Sequence, residues 1–302
     1  MRILFVGDII SGKNILEEIK KVGILAAIAT SERNMKRWQD FGIPAFVVSE
    51  INNPEIVNKL EQLKIDLLVN FNSSIIFSQN VLSCLKIGGI NFHPGILPNY
   101  AGSNVHQWMM LNGELWGGVT IHVIEQRVDQ GSILCSSKTQ ILDTETGLTL
   151  FMKLIQRGRD LIVELLPEIA RNGFSSSRPQ DLSNWNFFSQ SKKPNGKINF
   201  AQNASKVRRF IQALNYRPTI SPLGCSFVDA PLGPIEPITV SVSQALQPSG
   251  IKPGTIIKID SEHVSIACKD KSLLIEKFWL NGRAMGTEEA AVLAGMHVGQ
   301  II

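Results

Sequence analysis

The sequence is sparing with the groups that carry covalent or metal chemistry. Its 302 residues hold four cysteines, five histidines and two tyrosines. Cys84, Cys135, Cys225 and Cys268 lie far apart with no metal-ligand spacing, so they read as reduced, mostly buried thiols. There is no Gly-x-Ser-x-Gly elbow and no cysteine near a histidine in sequence, which argues against a protein nucleophile. No second cluster of His, Asp or Glu suggests a metal site. No apolar run reaches the length of a membrane span. The first apolar stretch, residues 2–6, is too short for a signal-peptide core and is not followed by a small-residue cleavage site, so the expected location is the cytoplasm. Neither sign of charge dominates: 30 Lys and Arg stand against 26 Asp and Glu. From residue 191 onward the balance is 13 basic to 8 acidic, and elsewhere 17 to 18, so the excess positive charge sits in the C-terminal third. That bias would favour a phosphate-bearing substrate or RNA but demands neither, and it reads first as solvated surface. Gly7 and Gly12 follow the first strand without the G-x-G-x-x-G spacing, so a nicotinamide fingerprint is set aside.

What is present alternates regularly. Strands are expected at residues 1–6, 25–30, 44–48, 65–69 and 89–92. Helices are expected near 13–22, 54–63 and 78–85, with a loop or short helix over 31–42. The alternation argues an α/β fold with a doubly wound, mostly parallel sheet. A helix at 104–111, capped by Asn104 or Ser103, is followed by strands at 119–123 and 133–138. Apolar residues at helical spacing from 147 to 172 mark a packing helix that Pro167 should kink or end. Residues 171–197 are rich in Ser, Pro, Asn and Gly and read as a surface linker pinned by Trp185, Phe187 and Phe188. A helix at 204–214 precedes short strands at 225–228, 238–242, 255–259, 264–267 and 272–278, as in a small β-barrel. The domains implied are 1–185, a linker at 186–203, and 204–302.

One stretch organises the rest: Ile90-Asn-Phe-His-Pro-Gly-Ile-Leu-Pro-Asn-Tyr-Ala-Gly102. It begins as a strand and becomes a proline loop. Asn91 and His93 are two apart, so on extended chain they leave the same face. Polar groups at the carboxyl end of a sheet strand are where open α/β sheets place ligands. Asp129 follows in a glycine-containing turn. An amide, an imidazole and a carboxylate without a nucleophile suit direct attack by a substrate nucleophile on a carbonyl. Asn91 would donate to the oxyanion, His93 would donate as well or shuttle a proton, and Asp129 would hold the histidine charged or accept a proton from the attacking amine. On spacing alone a structural histidine and a turn-forming aspartate remain the alternative.

Three separated motifs make the pattern more specific: Asn91-Phe-His-Pro-Gly-Ile-Leu-Pro98, Gly118-Val-Thr-Ile-His122 and Val128-Asp-Gln-Gly-Ser-Ile-Leu134. Together they resemble the 10-formyltetrahydrofolate-dependent formyltransferases, a family that includes methionyl-tRNA, glycinamide ribonucleotide and amino-sugar N-formyltransferases. Residues 193–200 and 253–257 resemble the family's link into a second domain and its C-terminal barrel. The resemblance implies a formyltransferase Rossmann-like domain followed by an OB-like barrel. It implies 10-formyltetrahydrofolate as formyl donor, no metal, and Asn91, His93 and Asp129 as the catalytic residues. The folate would lie between the loop holding Phe71, Asn72, Ser73 and Ile75 and the backbone of Glu125, Gln126 and Val128. The acceptor would meet Gly95, Asn104 and His106, with Trp108 and Met109 nearby unless these simply pack.

The sequence also departs from the family pattern. Gly95 and Ile96 stand where the family usually has Ser and Leu, and Ala101 replaces a common Arg. The segment 30–42, with Arg33, Lys36 and Arg37, is shorter than the basic loop of the methionyl-tRNA enzymes. The expected reaction is therefore formyl transfer to the primary amine of a small or carrier-borne acceptor, an amino-sugar nucleotide or an aminoacyl group. Methionyl-tRNA formyltransferase, with tRNA as partner, is the alternative. A formyltetrahydrofolate deformylase and a non-catalytic binding module rank below both.

Overall fold

Five apolar runs become the parallel part of one sheet: β1 (Arg2–Gly7), β2 (Ile24–Thr30), β3 (Ala45–Val47), β4 (Leu67–Phe71) and β5 (Gly88–His93). Between them run α1 (Ile9–Val22), α2 (Glu32–Gln39), α3 (Pro54–Gln62) and α4 (Gln79–Ser83). A short β6 (Ala101–Gly102) and α5 (Val105–Asn112) follow, then β7 (Trp116–Val123) and β8 (Ile133–Gln140), both antiparallel to their neighbours. The strand order is β3-β2-β1-β4-β5-β7-β8. It reverses between β1 and β4, which opens a crevice at the carboxyl ends of the strands. This computed structural model describes residues 1–7, 9–39, 42–247 and 250–302, without the side chains of 9–14, 37 and 39. Asp8 of the first glycine turn, Asp40 and Phe41 of the expected 31–42 segment, and the Arg37 side chain lie outside the described residues.

Two compact units emerge. The first comprises Met1–Gly102, Trp116–Gln140 and Met152–Phe187; the second comprises Ser103–Leu115, Ile141–Phe151 and Phe188–Ile302. In the first, Leu4, Val6, Ala27, Ala29 and Leu68 pack against Ile56 and Leu60 of α3 and Val81 of α4. Burying a side chain such as Leu60 contributes about 1.5–3 kcal/mol. Pro54 occupies the first turn of α3, where its missing N–H costs nothing. Ser78 caps α4 by accepting from the Val81 N–H at 3.4 Å. The long helix α6 (Gly147–Asn172) has the expected bounds, but Pro167 stands inside it and does not end it. Buried Leu165, Leu166 and Ile169 keep its last turns packed around the proline. The segment after α6 carries 3-10 turns and the short strand β9 (Phe187–Phe188).

The second unit contains α7 (Ala204–Leu214) and an antiparallel half-barrel. Its strands are β10 (Val228–Ala230), β11 (Gly233–Leu246), β12 (Ile256–Ile259), β13 (Val264–Ala267) and β14 (Lys271–Leu280), ordered β10-β11-β14-β13-β12. A further strand, β15 (Arg283–Met285), pairs with β14, and α8 (Thr287–Ala294) follows. Register shifts along β11 bend the sheet. Val207 and Ile211 of α7 cover its apolar face with Ile256, Ile266, Leu273 and Phe278. Among the described residues no helix is long and apolar enough to cross a membrane.

Candidate active site

β5 presents Asn91 and His93 on one face, and Phe92 between them points to the other. Phe92 packs on Phe71 with ring centroids 4.8 Å apart and the planes tilted by 41°. It is seated against α6 at Gly158, where a Cβ would collide with the ring. The polar face carries the chemistry. His93 Nδ1 lies 3.7 Å from Asp129 Oδ2, and His122 Nε2 lies 3.5 Å from Asp129 Oδ1. Asn91 Nδ2 lies 3.0 Å from His122 Nε2. The structure thus brings Asn91, His93 and Asp129 together and adds a fourth member, His122. His93, His122 and Asp129 are all buried.

The proline loop is clasped from below by Thr120 of β7. Its hydroxyl donates to the Gly95 carbonyl at 2.7 Å and accepts from the Leu97 N–H at 3.2 Å. The loop's far end returns its Gly102 N–H to Asp129 Oδ2 at 2.8 Å. Asp129 itself takes a left-handed backbone, φ 56°, a conformation that places its carboxylate at a cost in backbone energy. Gln180 supports that turn by donating to the carbonyls of Asp129 at 2.9 Å and Gly131 at 2.7 Å. Gly131 is required there, because a Cβ would run into the Val123 carbonyl. Thr120, His122 and Gln180 were given no role from sequence. For Thr120 and His122 the signal was present: both alternate on the strand that pairs with β5, where Asn91 faces His122 and His93 faces Thr120.

Hydrogen bonding assigns the proton on His93. Its Nε2 sits 2.5 Å from the Tyr100 carbonyl, which can only accept, so Nε2 carries the hydrogen. In the neutral ring the Nδ1 lone pair then faces Asp129. Burial pushes His93 below the usual 6.5, and the opposing pull of Asp129 does not overcome it. Burial alone would raise Asp129. The nearby rings of His93 and His122 and the Gly102 N–H outweigh it and bring the carboxyl down to about 2. Near neutral pH the site therefore holds an ionised carboxylate beside a neutral imidazole. A proton arriving at Nδ1 would be held between them. Asn91 keeps one N–H without a partner among the described residues, and its side chain is only half-buried.

The other expected contacts are spread more widely. Phe71 is wholly buried, whereas Asn72 is exposed in a left-handed conformation, φ 60°, at the end of β4. Ser73 accepts from Asn70 through its carbonyl and, through its hydroxyl, from the Ile75 N–H. Glu125, Gln126 and Val128 are exposed along an irregular segment. Gly95 is buried under Thr120. Asn104 caps α5 in the second unit with φ 55° and no side-chain cap bond. His106, also in the second unit, is buried between Phe151 and Tyr216 and hydrogen-bonded to the Tyr216 hydroxyl. Residues that could accept a folate are the exposed backbone of 125–128 and the free Asn91 N–H; among the described residues no cluster of three His, Cys, Asp or Glu could hold a metal.

Residues 2–167 match the family model described as formyl transferase, and residues 190–292 match the formyl transferase C-terminal domain. Among solved structures the fold is similar to the N-formyltransferase of Helicobacter canadensis, determined with folinic acid and dTDP-3-aminofucose. That match has 17% identity, covers 90% of this chain and 98% of that one, and has a TM-score of 0.68. A sugar N-formyltransferase from Shewanella sp. matches with 19% identity over 77% of this chain and 94% of that one, TM-score 0.59. HypX from Aquifex aeolicus, in complex with tetrahydrofolic acid, matches with 17% identity and TM-score 0.66 over 96% of this chain but 47% of its own length. With both domain models matched in order along a chain that also gathers the motif residues Asn91, His93, His122 and Asp129 in one cluster, the protein belongs to the formyl transferase family.

Proposed function

We propose that the protein moves the formyl group of 10-formyltetrahydrofolate to the primary amine of a small or carrier-borne acceptor, with an amino-sugar nucleotide as the acceptor class. The observation that carries this reading is the free Asn91 N–H beside an ionised Asp129 and a neutral His93, with no protein nucleophile in the cluster. One of the similar structures is a sugar N-formyltransferase by name, and another, an N-formyltransferase, was determined with dTDP-3-aminofucose. That favours this acceptor over charged tRNA.

The donor supplies an electrophilic formyl carbon; the rest falls to the chain. Asn91 donates to the formyl oxygen as negative charge gathers on it, the kind of contact that strengthens only in the transition state. His93 takes up the proton lost by the attacking amine, and Asp129 stabilises the imidazolium so formed. The exposed segment at 125–128 and Asn72 border the pterin. The acceptor enters from the proline loop. The excess of basic residues from 191 onward, 13 against 8 acidic, suits a phosphate-bearing acceptor.

The test is absorbance-monitored release of tetrahydrofolate from 10-formyltetrahydrofolate. Parallel reactions contain buffer, a dTDP-linked amino sugar, aminoacyl compounds and charged initiator tRNA. Turnover confined to the amino-sugar nucleotide is the expected result. Turnover in buffer alone would replace the transferase by a deformylase, and turnover only with tRNA would replace the acceptor.

A further inference from the structure

We infer that Asn70 and His122 are positioning residues that decide which end of the Asn91 amide faces the reacting centre. The inference rests on the reading of Asn91 as the donor to the formyl oxygen. Three neighbouring strands place these residues on one rung. Asn70 of β4 is the register partner of Asn91 of β5, and Asn91 is the register partner of His122 of β7. Cross-strand partners of this kind present their side chains side by side on one face.

The rung is a directed chain of hydrogen bonds with a backbone carbonyl at each end. Asn70 Nδ2 lies 3.0 Å from the Ser73 carbonyl and 2.8 Å from Asn91 Oδ1. Asn91 Nδ2 lies 3.0 Å from His122 Nε2, and His122 Nδ1 lies 2.9 Å from the Val123 carbonyl. Carbonyls only accept, so both ends of the chain are fixed. At the Ser73 end, Asn70 must turn its NH2 group inward. Its second hydrogen then requires the oxygen of Asn91. Asn91 must turn its own NH2 toward His122, which receives it on a lone pair. The ring proton is thereby left on Nδ1, where Val123 needs it. Two amides and one imidazole, each of which could be reversed without changing its shape, are left with one mutually consistent arrangement.

Reversing any one member sets donor against donor or acceptor against acceptor. Asn70 and His122 are each 3% exposed, so water is not at hand to repair the mismatch. One charged neighbour works against the arrangement: Asp129 Oδ1, 3.5 Å from His122 Nε2, would favour a proton on that nitrogen. The Val123 carbonyl and the Asn91 N–H hold it off. If the rung turned over, Asn91 would offer a carbonyl oxygen to the growing negative charge and repel it.

The experiment has a spectroscopic arm and a kinetic arm. Ring ¹⁵N shifts of His122 in the wild type should show a protonated Nδ1 and an unprotonated Nε2. Asn70→Asp replaces the donor with an acceptor, turns Asn91 over and moves the His122 proton to Nε2. With 10-formyltetrahydrofolate and a dTDP-linked amino sugar, Asn70→Asp should lower kcat about 100-fold, as Asn91→Ala should, while the donor KM stays within about threefold. His122→Gln, whose amide oxygen can accept from Asn91, should retain kcat within about tenfold, and His122→Ala should not. A wild-type proton on Nε2, or an Asn70→Asp enzyme with wild-type kcat, overturns the inference. If Asn70→Asp does not fold, the comparison of Gln with Ala at 122 decides, and equal losses overturn it. If Asn91→Ala retains full turnover, the proposed donor role fails instead, and the ¹⁵N arm still decides the rung.

Discussion

Asp129 shows how much one residue depends on its surroundings. It is buried and held in a left-handed backbone, yet its carboxyl stays ionised down to about 2 because His93, His122 and the Gly102 N–H face it. The sign of the pH dependence follows. With His93 as the proposed base, activity should be lost when it takes a proton in the free enzyme. Burial lowers its pKa, so the acid limb of kcat/KM should lie below pH 6.5. Asp129 favours the protonated ring. Asp129→Asn should therefore move the acid limb to still lower pH and reduce kcat about 100-fold or more. A pH–rate profile of the two proteins checks this, and a limb that moved upward would remove His93 from the role of base. In the second unit, Tyr216 is the sole hydrogen-bond partner of the His106 ring among the described residues, since His106 Nδ1 has none. Tyr216→Phe should cost about 1–3 kcal/mol in a denaturant melt, because it leaves a buried imidazole unsatisfied.

At the scale of elements, the site depends on how closely α6 approaches β5. Gly158 leaves the space that Phe92 fills, and Phe92 sits between Asn91 and His93. Gly158→Ala should destabilise the fold by about 1–3 kcal/mol and also lower kcat, since the displaced ring belongs to the strand that carries Asn91 and His93. Thermal melts with parallel turnover measurements test both effects; unchanged kcat would show that the strand does not move. The bounds of α6 were legible because its apolar positions repeat at helical spacing over 26 residues. The parallel strands were legible to within two residues, since each is a short buried run between turn formers. β15 and α8 were not foreseen: Arg283–Met285 is three residues long, and α8 shows little contrast between its faces, with Val292 exposed beside buried Ala291. Asn91, His93 and Asp129 could be singled out from sequence because they flank glycines and prolines. Asn70, Thr120 and Gln180 were not revealed in this way, although Pro179 adjoins Gln180 and Gly118 lies two before Thr120. Their roles arise from pairing between strands and from a returning loop, and no local pattern encodes that.

For the molecule as a whole, acid stability should be set by histidines buried in neutral form. His106 is driven by burial from 6.5 to about 3. Between those values the unfolded chain binds a proton that the folded chain refuses, so stability falls as pH drops from 6.5 toward 3. The loss is on the order of 4 kcal/mol for a shift of this size. Asp129 adds its own loss only later, between 3.8 and about 2. His106→Gln should lower stability at neutral pH and flatten the decline between pH 6.5 and 3, as read from melting temperature against pH. An equally steep decline in the variant would place the acid sensitivity elsewhere. The lateral alignment of Asn70, Asn91 and His122 has a consequence for how such a protein can change over time. The three residues are brought together by strand pairing rather than by the lengths of the segments between them. Residues can be gained or lost at 74–86 or 103–115 while the alignment stands. A single insertion within β4, β5 or β7 turns the following side chains to the opposite face. Length variation among descendants of this chain should therefore collect in the connections and spare those three strands.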